Sequence, residues 1–228
     1  MSDLLQQQIE YYRARAPEYD EWFYRLGRYD RGEAHTRQWE QEVQQIRDLL
    51  HSQSGFDHIL EMAPGTGIWT SELIRIGERV TALDASPEMI AINRAKLGSD
   101  QVDYHQTDLF AWQPQRQVDM VFFGFWLSHV PAQKLAAFLG MVRAALKPGG
   151  RLFIVDSRRP DLVTAHTVSE DLGEDLQKRV LKDGRRFDIV KIYYEPSALS
   201  ETLRRHGFDI EVQTTENFFL YADGQRAS

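Results

Sequence analysis

The stretch His58-Ile59-Leu60-Glu61-Met62-Ala63-Pro64-Gly65-Thr66-Gly67-Ile68-Trp69-Thr70 constrains this chain more than any other. An apolar run, Ile59 to Met62, carries an acid near its end. It gives way at once to Ala-Pro-Gly-Thr-Gly and then to a helix-forming segment, so the pattern predicts strand, tight loop and helix start. Glycines at 65 and 67 permit positive φ and present no Cβ, which lets backbone approach a ligand, and the helix after them offers free N–H groups. A dinucleotide fingerprint needs a small third residue in Gly-x-Gly-x-x-Gly/Ala. Counted from Gly65 that position is Thr70, and counted with Ala63 standing in for the first glycine it is the bulky Ile68. The spacing therefore speaks against a nicotinamide-dependent oxidoreductase.

Further along, Arg79 to Asp84 reads as a second strand ending in an acid, followed by Ala85-Ser86-Pro87-Glu88-Met89. Ser86 is a helix N-cap by pattern and Pro87 its first turn. Val102 to Leu109, Val118 to Gly124 and Leu146 to Asp156 supply three more strand patterns, with a helix over 132–146 whose Leu135, Leu139, Val142 and Leu146 share one face. From 57 to 156 strands and helices alternate as a parallel, doubly wound sheet requires. In such sheets ligands bind at the carboxyl ends of the strands where the order reverses, which puts the 63–67 loop, Asp84 and Asp108 on one edge.

These matches resemble the class I S-adenosylmethionine-dependent methyltransferases, small-molecule type. Glu61-x-Ala63-x-Gly65-x-Gly67 is similar to the family's Glu/Asp-x-Gly-x-Gly-x-Gly, with Ala63 where a glycine is usual. The resemblance implies a Rossmann-like, mostly parallel seven-stranded sheet and S-adenosyl-L-methionine as cofactor. It implies that Asp84 accepts hydrogen bonds from the ribose hydroxyls and that Asp108 and Leu109 meet the adenine. It also puts Ala85, Met89 and Phe125 beside the cofactor, although core packing explains Met89 equally well. Leu146-Lys147-Pro148-Gly149-Gly150 looks like the family's structural turn before the fifth strand.

The acceptor side is read from the segment after the fourth strand. Phe125 and Trp126 stand where amide and adenine-N6 methyltransferases resemble one another in Asn/Asp-Pro-Pro-Tyr, so amino targets of that kind are disfavoured and an apolar or aromatic acceptor surface is expected. His129 is the candidate general base, since imidazole titrates near neutrality; the alternative is a structural histidine. The implied reaction is in-line transfer of the methyl group to an oxygen or nitrogen of a small molecule. Rivals are a same-fold protein using the bound cofactor for a non-methylating reaction such as cyclisation, and a non-catalytic binding module.

The flanks are legible by architecture. Residues 1–52 form an aromatic N-terminal arm, with a helix, a turn at Ala16-Pro17, a second short helix, and a longer one presenting Trp39, Val43, Ile46 and Leu50. The resemblance makes this arm a lid in which Tyr11 or Tyr19 touches cofactor or acceptor, the alternative being packing. Residues 53–228 carry the cofactor domain, with an insertion over 157–195 that walls the acceptor pocket. Leu172, Leu176 and Val180 suggest a helix inside it, Phe187 to Tyr194 a strand, and Arg158 an acceptor-binding cation or a solvated one. Pro196 to His206 predicts a helix, and Phe208 to Thr214 with Phe218 to Tyr221 an antiparallel pair.

Composition bounds the remainder. With 228 residues, 42 % of them apolar and 27 % charged, one sizeable soluble domain is expected. The absence of cysteine excludes thiolate chemistry, and the seven histidines show no metal-ligand spacing, so no metal is expected. A formal charge of −7 disfavours a broad nucleic-acid footprint. No apolar run is long enough to span a bilayer and no signal-peptide pattern opens the chain, so a cytoplasmic protein, monomer or homodimer, is expected.

Overall fold

The computed structural model describes residues 2–159, 169–173 and 175–228. Helix α1 (Ser2–Arg15) leads through a 3-10 turn, Ala16–Glu18, into the short α2 (Tyr19–Phe23), and α3 (Glu33–His51) comes next. Then come β1 (Ile59–Met62), α4 (Thr70–Leu73), β2 (Val80–Asp84), α5 (Pro87–Leu97), β3 (Val102–Gln106), β4 (Val118–Gly124), α6 (Ala132–Ala145) and β5 (Leu146–Ser157). The order closes with β6 (Ser169–Gly173), β7 (Leu176–Val180), β8 (Arg186–Val190), α7 (Pro196–Arg205), β9 (Phe208–Thr214) and β10 (Phe219–Arg226).

Seven strands make one sheet in the order β3-β2-β1-β4-β5-β10-β9, parallel except that β10 runs antiparallel to both neighbours. The order reverses between β1 and β4. Both faces of the sheet are covered, because side chains alternate along each strand. Met120 and Phe122 join Trp39, Val43, Ile46 and Leu50 of α3 on one face; Val121 and Phe123 meet Phe138, Leu139 and Val142 of α6 and Leu199 and Leu203 of α7 on the other. The Glu42 carboxylate of α3 ties that helix to the β9–β10 turn, accepting from the backbone of Asn217 (3.1 Å) and Phe218 (2.9 Å).

Two sequence expectations are corrected. The predicted helix at Leu172, Leu176 and Val180 is instead strand: Leu172 belongs to β6, Leu176 and Val180 to β7, and with β8 these form a separate three-stranded antiparallel sheet. A spacing of four fits a helical face and also every second inward position of a strand, and Asp183-Gly184 turns the chain back between β7 and β8, with Gly184 at φ +87°. The strand expected over 187–194 stops at Val190, where the backbone N–H of Lys191 turns to Asp175 O and that of Ile192 to Ser128 O. The Lys147–Gly150 turn is a bulge inside β5, since Val118 pairs with Leu146 but Met120 with Arg151. Residues 160–168 and 174 of the expected insertion lie outside the described residues. The strand α1 lies against is β8, so the first helix rests on the insertion as well as on the cofactor domain.

Candidate cofactor and acceptor site

The loop after β1 is shaped by backbone that most residues avoid. Ala63, Gly65 and Gly67 have φ of +54°, +55° and +90°. A Cβ on Gly67 would lie 2.6 Å from Asn93 Oδ1. Asn93 is what pins the loop: its amide nitrogen donates to Thr70 Oγ1 (2.9 Å) and Gly65 O (3.4 Å), while its Oδ1 accepts from Tyr104 Oη (2.8 Å). No motif in the sequence points to Asn93, yet a signal exists. It is a polar residue at i+4 from buried Met89, on the face of α5 where an apolar residue is expected.

The Asp84 carboxylate, at the end of β2, faces this loop. It accepts from Gly65 N (3.1 Å) and Ser86 N (2.8 Å), and Ser86 Oγ caps α5 by accepting from Met89 N (3.1 Å). Burial pushes the Asp84 carboxyl up to about 6 despite these donors. Burial pushes Glu61 further, to about 8, against a hydrogen bond with Thr70, and its Oε2 has no hydrogen-bond partner among the described residues. Asp108 is exposed at the rim, its Oδ1 capping the turn through Phe110 N (2.9 Å).

Beyond β4 the chain turns sharply. Phe125 has φ +58° and donates its N–H to Val155 O at 2.7 Å, and a Cβ on Gly124 would meet the Trp69 ring at 2.8 Å. A 3-10 turn, Leu127–His129, then brings His129 back to the cleft. That turn is held from β5 and from the segment after β8. Ser128 N donates to Asp156 Oδ2 (2.9 Å), and the buried Lys191 ammonium donates to Ser128 Oγ (2.7 Å) and Asp156 Oδ1 (3.2 Å). Burial and then the Lys191 charge hold the His129 imidazole well below its usual range.

Helix α1 closes the cleft from above. Leu5, Gln8, Ile9 and Tyr12 present one i, i+3, i+4, i+7 face to it, and Tyr12 Oη lies 2.7 Å from His129 Nε2. Asp20 anchors the arm by accepting from Thr66 Oγ1 at 2.5 Å and by pairing with Lys96, while Arg13 pairs with Glu88 at 2.8 Å.

The result is one open cleft. Of the residues singled out from sequence, it gathers Tyr19, Ala63, Gly65, Asp84, Ala85, Met89, Asp108, Leu109, Phe125, Trp126 and His129. Glu61 and Gly67 lie beneath it, shaping the loop. Tyr11 and Arg158 are not brought to it. Tyr11 is one residue off the cleft-facing stripe of α1 and packs with Leu181 and Ile189, and Arg158 spends its guanidinium on the carbonyls of Thr215 (2.8 Å) and Glu216. Tyr12, the adjacent residue, takes the place expected of Tyr11. Among the described residues no cluster of His, Asp and Glu is arranged to hold a metal ion.

Residues 59–150 match the family model for a methyltransferase domain. The chain is 32 % identical over 158 residues to the ubiquinone biosynthesis O-methyltransferase of Xanthomonas euvesicatoria, an alignment that takes in 67 % of this chain and 63 % of that one. The chain thus spans under two thirds of that relative. Among solved structures it is similar to a DhpI–SAH complex, with 37 % identity, a TM-score of 0.78 and coverage of 100 % of this chain and 98 % of the other. A DhpI–SAM–HEP complex matches with 38 % identity, a TM-score of 0.77 and 97 % of each chain. With its sheet order, its glycine loop facing Asp84 and these likenesses, the chain belongs to the class I S-adenosylmethionine-dependent methyltransferases.

Proposed function

We propose that this protein transfers a methyl group to the oxygen of a small-molecule acceptor bound beneath α1. The observation that carries this reading is the continuity of the cleft, from Asp84 at the end of β2 to the Tyr12–His129 contact at the far wall. The residues present fit S-adenosylmethionine. The loop is one in which an added Cβ on Gly67 has no room, a half-buried carboxylate stands at the end of β2, and Glu61 Oε2 is left without a partner among the described residues. When bound, that cofactor supplies an electrophilic methyl on a positively charged sulfur. In this reading Asp84 takes the ribose hydroxyls, Asp108 and Leu109 the adenine, and Met89 and Tyr19 the apolar faces. Phe125 and Trp126 exclude water beside the acceptor oxygen, and positioning it in line supplies most of the rate. Residues 1–52 act as a lid on the domain formed by 53–228.

Cations lie behind the His129 wall of the cleft. Lys191, Arg179 and Arg15 all act on His129, and the carboxylate facing them, Asp156, is engaged by Lys191. Arg15 is 7 % exposed, stacks on Tyr19 at 4.9 Å, and its Nε has no partner among the described residues; neither has Arg179 Nε. Guanidinium groups held out of water in this way favour an acceptor that is itself negatively charged. A net charge of −7 over the chain supports a small anion rather than a nucleic acid as that partner.

The test is calorimetric titration with S-adenosylmethionine and its demethylated product, followed by radiolabelled methyl transfer to 3,4-dihydroxybenzoate, glycerol 3-phosphate and ethanolamine. Micromolar binding of both cofactor forms and labelling of a hydroxyl of an anionic probe is the expected result. Labelling of ethanolamine nitrogen alone would replace oxygen by nitrogen as the target, and absence of cofactor binding would end the reading altogether.

A further inference from the structure

A closed ring of hydrogen bonds joins α1, the His129 turn and the end of β8. Gln8 Nε2 donates to His129 O (3.1 Å), Val190 N donates to Gln8 Oε1 (3.1 Å), and His129 Nδ1 lies 2.6 Å from Val190 O. A carbonyl oxygen only accepts, so Nδ1 carries the proton. In the neutral ring Nε2 is then an acceptor, and the group 2.7 Å from it, Tyr12 Oη, is its donor. The direction of every bond is set by the carbonyl at one end. Tyr12 lines the cleft, its phenol is edge-on to the imidazole with ring centroids 5.3 Å apart, and Tyr19 stands beside it at 6.4 Å.

Taking the methyltransferase reading above as its basis, the geometry points to Tyr12 as a catalytic residue that touches the acceptor, with its phenol oxygen receiving the acceptor hydroxyl proton while its own proton passes to His129 Nε2. The acceptor oxygen forms the new bond to the methyl carbon, the carbon–sulfur bond breaks, and its electron pair stays on sulfur. The acceptor proton ends on Tyr12 and the tyrosine proton on His129, from which a proton returns through Tyr12 to the open cleft once the product leaves. Val190, whose carbonyl fixes the tautomer, and Gln8, which ties the His129 turn to the end of β8, are positioning residues. The groups that bear on the imidazole from every side are Tyr12 and Arg15 of α1, Arg179 of β7, and Lys191 with its partner Asp156. Three cations against one carboxylate resist protonation of His129, and a negatively charged acceptor is what offsets them. The proton is therefore accepted only when such an acceptor is in place.

The test has two readouts on the same protein. The first is nitrogen-15 spectroscopy of histidine-labelled protein with the demethylated cofactor bound, the His129 signals being assigned through His129→Gln. Expected are a protonated Nδ1 and an unprotonated Nε2, with the Nε2 signal displaced in Tyr12→Phe but not in Tyr11→Phe. A protonated Nε2, or one indifferent to Tyr12→Phe, overturns the relay whether or not any probe is turned over. The second readout is methyl transfer to 3,4-dihydroxybenzoate and glycerol 3-phosphate. Tyr12→Phe is expected to lower kcat about a hundredfold or more with KM nearly unchanged, and the residual rate to climb about tenfold per pH unit as the probe ionises unaided. An unchanged kcat overturns the proposal. Failure of the wild-type protein to bind the demethylated cofactor would sink the functional reading instead, so the two are separable by the same titration.

Discussion

At the scale of single residues, the site is governed by where a carboxylate is placed relative to water. Asp84 is raised to about 6, so its charged form, the one that accepts the ribose hydroxyls in the proposed function, is lost as the pH falls through that value. Cofactor affinity should therefore be flat above pH 7 and weaken toward about tenfold per unit below pH 6, as calorimetry at several pH values would show. Asp84→Ala should cost on the order of 1–3 kcal/mol in the same measurement, the range for a lost charged hydrogen-bond partner. Glu61 gives a stability prediction of definite sign. Its folded value of about 8 lies above its unfolded value of 4.5, so its contribution is fully present below pH 4.5 and is lost as the pH rises through 8. Glu61→Gln should leave the denaturant midpoint at pH 5 nearly unchanged and raise it at pH 9. Ala63, a non-glycine at φ +54°, is strained where the family usually has glycine. Ala63→Gly should raise stability by up to about 1 kcal/mol, the strain relieved exceeding the chain entropy added.

Among the elements, those whose faces meet only one neighbour were legible and those shared between neighbours were not. Trp39, Val43, Ile46 and Leu50 predicted α3 and its buried face, because a 3.6-residue period has no competing explanation there. The insertion failed for the opposite reason: a four-residue spacing serves helix and strand alike, and its strands are stabilised by one another and by α1, which no local pattern reports. The same holds for Tyr12 and Tyr11. Two adjacent tyrosines on one helix point in different directions, and only the register of α1 against the cleft decides which reaches His129. Lys191 was equally invisible, lying in a segment that read as strand. It is 6 % exposed and bonded to Ser128 and Asp156, so Lys191→Met should leave a buried carboxylate uncompensated and lower stability by roughly 3–5 kcal/mol. Chemical denaturation checks this, and loss of under about 1 kcal/mol would contradict the role given to the pair.

Over the whole molecule, three sequence-distant segments have to meet for the cleft to exist: the 63–67 loop, the 125–129 turn and α1. Besides the buried contacts of Gln8 and Tyr11, the arm formed by α1 and α2 is held by ion pairs near water. Asp20 pairs with a Lys96 side chain that is 34 % exposed, and Arg13 with Glu88 where both are more than 40 % exposed. Such pairs contribute little each, which suits the lid role proposed for the arm. Asp20→Ala should accordingly speed release of the demethylated cofactor several-fold in stopped-flow displacement and leave the melting temperature within a few degrees of the parent.

Carboxylates, Asp84 and Asp108, stand at one end of the cleft, and behind its wall at the other lie the cations that bear on His129, Lys191, Arg179 and Arg15. An opening polarised in this way turns a charged molecule before it touches the wall, and such guidance works only over the distance at which dissolved ions leave the field intact, about 10 Å at 0.1 M salt. Capture and retention then answer to different conditions. The rate at which an anionic acceptor arrives falls steeply as salt is added, while the time it stays, set by desolvated contacts beneath α1, hardly changes.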